Sequence, residues 1–235
     1  MLVLVASEHD LVARQAVARW ASLDAALLSP RDLSRPGWTY APDDCGRGYA
    51  VVGGRRVAMS RITSVVTRLP CVVVEVLGHI ARDDREYAAA EMTAFLLAWL
   101  SDRELPVVNR PTATCLAGPH RRPEQWVHTA GQLGIPVQRW HLRAPRLAPC
   151  ANEPVCPPPT FACVTIVGAC CLGTEDAVSR AHARRLAEAV GAMLLNVYFT
   201  GHGRDALLVG ADVWPDLSDP RIADALRPFL TARRQ

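Results

Sequence analysis

The stretch that most constrains this chain covers residues 109–137, NRPTATCLAGPHRRPEQWVHTAGQLGIPV. An apolar strand carrying Leu105, Val107 and Val108 runs into Asn109-Arg110-Pro111, and a Thr/Ala/Gly loop follows. Pro123 in a first helical turn and Gly134 just beyond the last one bracket a helix. Trp126, Ala130 and Leu133 step by four and three, so one face of that helix is buried. His120-Arg121-Arg122 then lies at the helix mouth, where free N–H groups, partial positive charge and two guanidinium groups together suit an anion.

A chain of 235 residues can bury a substantial core in one or two domains. Half of its residues are hydrophobic and 21% are charged, which is a globular balance. Its longest apolar runs are too short to span a bilayer, and residues 1–10 have neither a basic leader nor a long apolar run, so a cytoplasmic protein without a membrane partner is expected. A net charge of +3 without basic clustering gives no reason to expect nucleic acid as a partner. All 26 basic residues are arginine. Nothing in the chain can therefore form a lysine Schiff base or offer an ammonium group to a phosphate.

Taken in order, residues 2–6 read as a buried parallel strand, and Ser7 is placed to cap a helix through Trp20 with Leu11, Val12, Val17 and Trp20 on its apolar side. Residues 25–28 complete a strand–helix–strand unit, the start of a doubly wound sheet. No G-x-G-x-x-G follows the first strand. His9, at the carboxyl end of that strand, is read as a solvated helix-start residue. Residues 49–52 and 55–58 form a hairpin about Gly53-Gly54, and a strand over 62–69 ends on Arg68-Leu69-Pro70. The longest helix, 86–101, has Ala90, Ala94, Leu97 and, offset, Phe95 and Leu96 for its buried face; Tyr87 and Glu91 read as a surface pair. Residues 138–159 are proline-rich and read as a linker. Beyond it come a strand at 161–167, a helix at 174–190 burying Ala177, Ala181, Leu186 and Ala189 or Val190, strands at 194–199 and 206–209, and a last helix at 222–230.

Eight cysteines are expected to be reduced thiols. Five lie between Cys150 and Cys171, but the spacing of Cys150, Cys156, Cys163, Cys170 and Cys171 contains no C-x-x-C pair. Cys163 reads as a small buried hydrophobe, with metal binding as the lesser alternative.

The N-x-P strand end, the basic helix opening and the "LGIP" close resemble the segment that leads into the nucleotide-binding part of ATP-grasp carboxylate–amine ligases. The chain is similar to glutathione synthetase-like and ribosomal-protein glutamate ligase-like members, including those that modify peptides. "VTIVGACCLG", "LAEAVGAMLLNVYF" and "VWPDLSDPRIADAL" resemble parts of the family's C-terminal subdomain.

The resemblance implies an α/β chain with a pre-ATP-grasp-like doubly wound domain over 1–108 and a connecting loop and helix over 109–137. The linker over 138–159 then leads to a remnant of the C-terminal ATP-grasp α+β subdomain over 160–235. It also implies losses. Gly210-Ala211-Asp212 stands where the family carries a magnesium-binding Glu-Val-Asn, Cys163 stands where it carries a transition-state arginine, and the phosphate lysines and their subdomain are missing.

The expectation is thus a non-catalytic accessory or peptide-binding protein without a cofactor, serving a peptide-modifying or maturation enzyme, with a homodimer as one arrangement. The alternative is an ATP-dependent ligase completed by a partner chain. No catalytic or metal residue is assigned. The binding residues expected are Arg68, Asn109, Arg110, Arg121, Arg122 and Glu124.

Overall fold

A computed structural model describes residues 1–41, 47–102, 105–138 and 161–231. The linker assigned to 138–159 lies outside the described residues except for Gln138, and so do Cys150 and Cys156.

Three sheets form. The first is parallel and has the order β2-β1-β6-β7, built from β1 (Leu2–Val5), β2 (Ala25–Leu28), β6 (Ser64–Thr67) and β7 (Val107–Val108). Every residue of β1 and β6 is buried, as unbroken apolar runs require when both faces of a sheet are covered. On one face lie α1 (Leu11–Arg19) and α6 (Pro220–Thr231), contributing Ala13, Ala16, Ile222 and Leu226. The other face is covered by α3 (Arg85–Ser101) and by the second sheet, an antiparallel β3-β4-β5 formed from β3 (Thr39–Tyr40), β4 (Gly48–Val52) and β5 (Arg55–Ala58). The short helix α2 (Pro30–Leu33) follows β2.

The third sheet is antiparallel, β11-β10-β8-β9, from β8 (Ala162–Val167), β9 (Cys170–Leu172), β10 (Leu194–Thr200) and β11 (Leu207–Asp212). One face packs against α4 (Pro123–Gln132) and α5 (Ala177–Val190) through Trp126, Ala130, Ala183 and Leu186. Val167 and Leu194, at one end of its opposite face, share a core with α1, α6 and β1, so the C-terminal sheet is packed against the N-terminal one.

Three helices differ from the pattern expected. The cap of α1 is Asp10, whose Oδ1 accepts the Ala13 N–H at 3.0 Å; Ser7 sits a turn too early, and Leu11 is 67% exposed. Helix α3 buries Ala89, Leu96, Trp99 and Leu100 and leaves Ala90 and Ala94 exposed. Trp38, edge-on to Phe95 and Trp99 at 5.1 and 5.9 Å, helps to set that rotation, because large rings bury more surface than alanines. Helix α5 starts later than expected, at Ala177, and buries Ser179, Ala183, Leu186 and Ala187, leaving Ala177, Ala181 and Ala189 exposed. Strand β9 is too short to show a sequence period and was not foreseen.

Candidate functional site

Parallel α/β sheets present their ligand-binding loops at the carboxyl ends of the strands. Here that edge is held by polar contacts within the chain. Arg68, just past β6, donates from Nε to Asp10 Oδ2 at 2.9 Å and from Nη1 to the Pro215 carbonyl at 2.8 Å. Its guanidinium thus ties β6 to the start of α1 and to the loop between β11 and α6. Asn109, just past β7, is 4% exposed with φ of +53°, and its carboxamide makes three hydrogen bonds to the backbone of Met193 and Leu194. Arg110 donates to the carbonyls of Asp102 and Leu105.

The helix mouth is more open. Arg122 occupies the N-cap of α4, and its backbone N–H donates to Gln125 Oε1 at 2.8 Å, one half of a capping box. Glu124 is exposed in the first turn. Arg121 donates to Thr129 Oγ1 at 2.7 Å, with its guanidinium 5.7 Å from the Trp126 ring centre. Arg121, Arg122 and Glu124 therefore share one turn, while Arg68, Asn109 and Arg110 are each held by separate partners.

The outer face of the C-terminal sheet holds a polar ladder. Period two puts Leu195, Val197 and Phe199 into the α4/α5 core and turns Asn196 and Tyr198 the other way. Thr165 and Asp212 flank Asn196 in register; Cys163 and Gly210 flank Tyr198. Thr165 donates to Asn196 Oδ1 at 2.8 Å, and Asn196 Nδ2 reaches Asp212 Oδ1 at 3.3 Å. Tyr198 donates to Asp212 Oδ2 at 2.5 Å, and the Trp214 N–H donates to Asp212 Oδ1 at 2.7 Å. Burial, then the neighbouring Asp212 carboxylate, pushes the Tyr198 phenol above its usual range, so it remains a donor. Burial likewise raises the Cys163 thiol. Thr165, Asn196 and Tyr198 are members of this site that were not singled out in the sequence; the alternation in LLNVYFT was the available signal.

This is the face on which the resemblance places magnesium and phosphates. A magnesium site with bridging phosphates draws on one or two carboxylates with free oxygens, in octahedral geometry. Among the described residues no group of three or more His, Cys, Asp or Glu side chains could hold a metal. Asp212 is the carboxylate of the ladder, and both its oxygens already accept hydrogen bonds. Cys163 and Gly210 supply neither cation nor acid. The set is one carboxylate and one cation short of what the resemblance implies around a metal-bound triphosphate.

No protein-family model matches the sequence, and no curated protein does. Solved structures do match. The ATP-grasp ligase PsnB, complexed with a phosphomimetic variant of minimal precursor, Mg and ADP, superposes with a TM-score of 0.65 at 15% identity, covering 98% of this chain and 97% of that one. The macrocyclase MdnC bound with precursor peptide MdnA from Microcystis aeruginosa MRC gives 0.63 at 12%, covering 99% and 100%. A RiPP-associated ATP-grasp ligase of Chryseobacterium gregarium, in complex with ADP and a leader and core peptide, gives 0.64 at 10%, covering 99% and 97%. At these identities the likeness is one of fold.

Proposed function

We propose, from the premise that this chain has the fold of the ATP-grasp ligases, that it is a non-catalytic, peptide-binding accessory protein serving a peptide-modification or maturation enzyme. The observation that carries the reading is the closed state of the polar ladder. Asp212 accepts from Tyr198 on Oδ2 and from Asn196 and the Trp214 N–H on Oδ1, which fills three of its roughly four acceptor positions. Phosphoryl transfer relies on positioning and on neutralising the charge that spreads over phosphate oxygens. Neutral Cys163 and Gly210 offer no such charge, and a chain without lysine has no side-chain ammonium to supply in their place. The peptide half of the reading is supported by the fold's occurrence in ligases solved with precursor peptides.

The test is isothermal titration of the purified full chain with MgATP, paired with fluorescence anisotropy against labelled precursor-type peptides encoded beside its gene. Saturable peptide binding with no nucleotide heat supports the reading. Saturable MgATP binding, or ADP formed on adding peptide or a neighbouring protein, sinks it in favour of an ATP-dependent carboxylate–amine ligase completed by a partner chain.

A further inference from the structure

We propose that the outer edge of β5 is a docking strand for an acidic, extended peptide segment. The inference rests on the reading of the chain as a peptide-binding protein and names the chemistry of the peptide.

The backbone supplies the first argument. Gly53 and Gly54 have φ of +56° and +75°, the pair of positive values that a two-residue hairpin of matching twist needs. In the register that follows, Val52 faces Arg55 and Ala50 faces Val57 as hydrogen-bonded pairs, so Arg56 and Ala58 turn their N–H and C=O groups away from β4. Among the described residues strand β5 is the edge of its sheet; the Ala58 carbonyl is taken by the 3-10 turn that follows, Met59–Arg61, and the N–H and C=O of Arg56 are the outward pair with no described partner. An extended chain can add there as a further strand.

Charge supplies the second. Of the arginines expected to bind a ligand, Arg68, Arg110 and Arg121 are bonded within the chain. Among the described residues the hairpin arginines have no such partner. Arg35, Arg55 and Arg56 have no carboxylate of a described residue within ion-pair distance. Arg35 lies over the turn, so close to Gly54 that a Cβ there would collide with its Nη1. Arg56 stacks 3.6 Å from the ring centre of Tyr49, which is 40% exposed and belongs to the same face. A second copy of β5 would bring arginine against arginine, which disfavours self-pairing. Acidic side chains at alternate positions of an added strand would instead meet Arg56 on one face or Arg55 on the other.

The experiment uses the full chain and a fluorescein-labelled Glu-Val-Glu-Val-Glu-Val hexapeptide, read by anisotropy at low salt. Saturable binding is expected. R55E/R56E, whose two sites are exposed, is expected to bind roughly tenfold more weakly or worse and to gain affinity for the Lys-Val counterpart. Two further peptides, N-methylated at alternate amides in either register, need no variant protein: one register should abolish binding and the other should retain it, because a strand pairs through one edge.

Equal binding of both methylated peptides, unchanged affinity in R55E/R56E, or tighter binding of an oligouridine than of the peptide would each overturn the proposal. A precursor peptide that binds the chain but ignores R55E/R56E would remove β5 from the account and leave the peptide-binding reading standing. ADP formation would remove the non-catalytic half of that reading and leave peptide binding at β5 to stand on the anisotropy result.

Discussion

Asn109 grips Leu194 from both sides of the peptide backbone: its Nδ2 donates to the Leu194 carbonyl at 2.7 Å, and its Oδ1 accepts the Leu194 N–H at 2.9 Å. The same oxygen accepts the Met193 N–H at 2.9 Å. One buried side chain at the end of the parallel sheet thus fixes the start of β10 in the antiparallel one. Asparagine suits the place twice over, since it tolerates left-handed backbone and carries both a donor and an acceptor. Gly118 leaves it room; a Cβ there would come within 2.6 Å of the Asn109 Cβ.

Asn109→Ala would strand three backbone groups of this joint and is expected to cost about 2–5 kcal/mol. For a chain of this size that lowers Tm by about 5–15 °C in a calorimetric scan. Asn109→Gly keeps the left-handed φ and should recover about 1 kcal/mol of the loss relative to alanine. An alanine variant that melts with the unaltered chain would show that the sheets are held together by other contacts.

The Arg68–Asp10 pair makes the second joint, and its side chains are only 13% and 19% exposed. Asp10→Asn keeps the acceptor that caps α1 and removes the charge; Arg68→Met keeps much of the stem and removes the guanidinium. In a double-mutant cycle followed by urea unfolding, a coupling of about 1–3 kcal/mol is expected. Simple additivity would reduce the pair to a surface contact.

The parallel sheet and the hairpin were legible because both rest on local rules, apolar runs for β1 and β6 and Gly53-Gly54 for the β4–β5 turn. Helix faces were less so. Trp99 is buried against Trp38, whose distance in sequence hides its contact with α3. Composition and residue type located the arginines but could not say which were already spoken for; Arg68 and Arg121 find partners 147 and 8 positions away. The ladder of Thr165, Asn196 and Asp212 was hidden for the same reason, because cross-strand register, not sequence neighbourhood, assembles it.

Asp176 caps α5 and also holds the β10–β11 turn, accepting from Ser179 Oγ at 2.5 Å and from the Gly203 N–H at 3.1 Å. The Ser179 hydroxyl first, then the backbone donors, hold its carboxyl below the ordinary range against the opposing effect of desolvation. A carboxylate whose pKa is depressed by folding contributes stability that is present above the unfolded pKa, about 3.9, and is lost as pH falls through the folded value. The unaltered chain should therefore lose stability on acidification below about pH 4. Asp176→Asn should be less stable at neutral pH and show a shallower acid limb in urea titrations; parallel limbs would remove Asp176 from the account.

Tyr198 and Gly210, facing each other across β10 and β11, decide how closed the polar ladder is. A Cβ added at Gly210 meets nothing within 4 Å, so Gly210→Ala should gain about 0.5–1 kcal/mol by restricting the unfolded chain. Gly210→Glu would add a second carboxylate on the face of Asp212, but with Tyr198 still bonded to Oδ2 the first stays engaged. Tyr198→Phe frees that oxygen and is expected to cost about 1–3 kcal/mol, the worth of a hydrogen bond to a charged acceptor. Only the double variant then presents two carboxylates able to share a hard cation. Electron paramagnetic resonance of added Mn²⁺ should show uptake by the double variant and by neither single one. Stoichiometric uptake by the unaltered chain would mean that Asp212 exchanges its hydrogen bonds for a metal, and the non-catalytic reading would fall with that result.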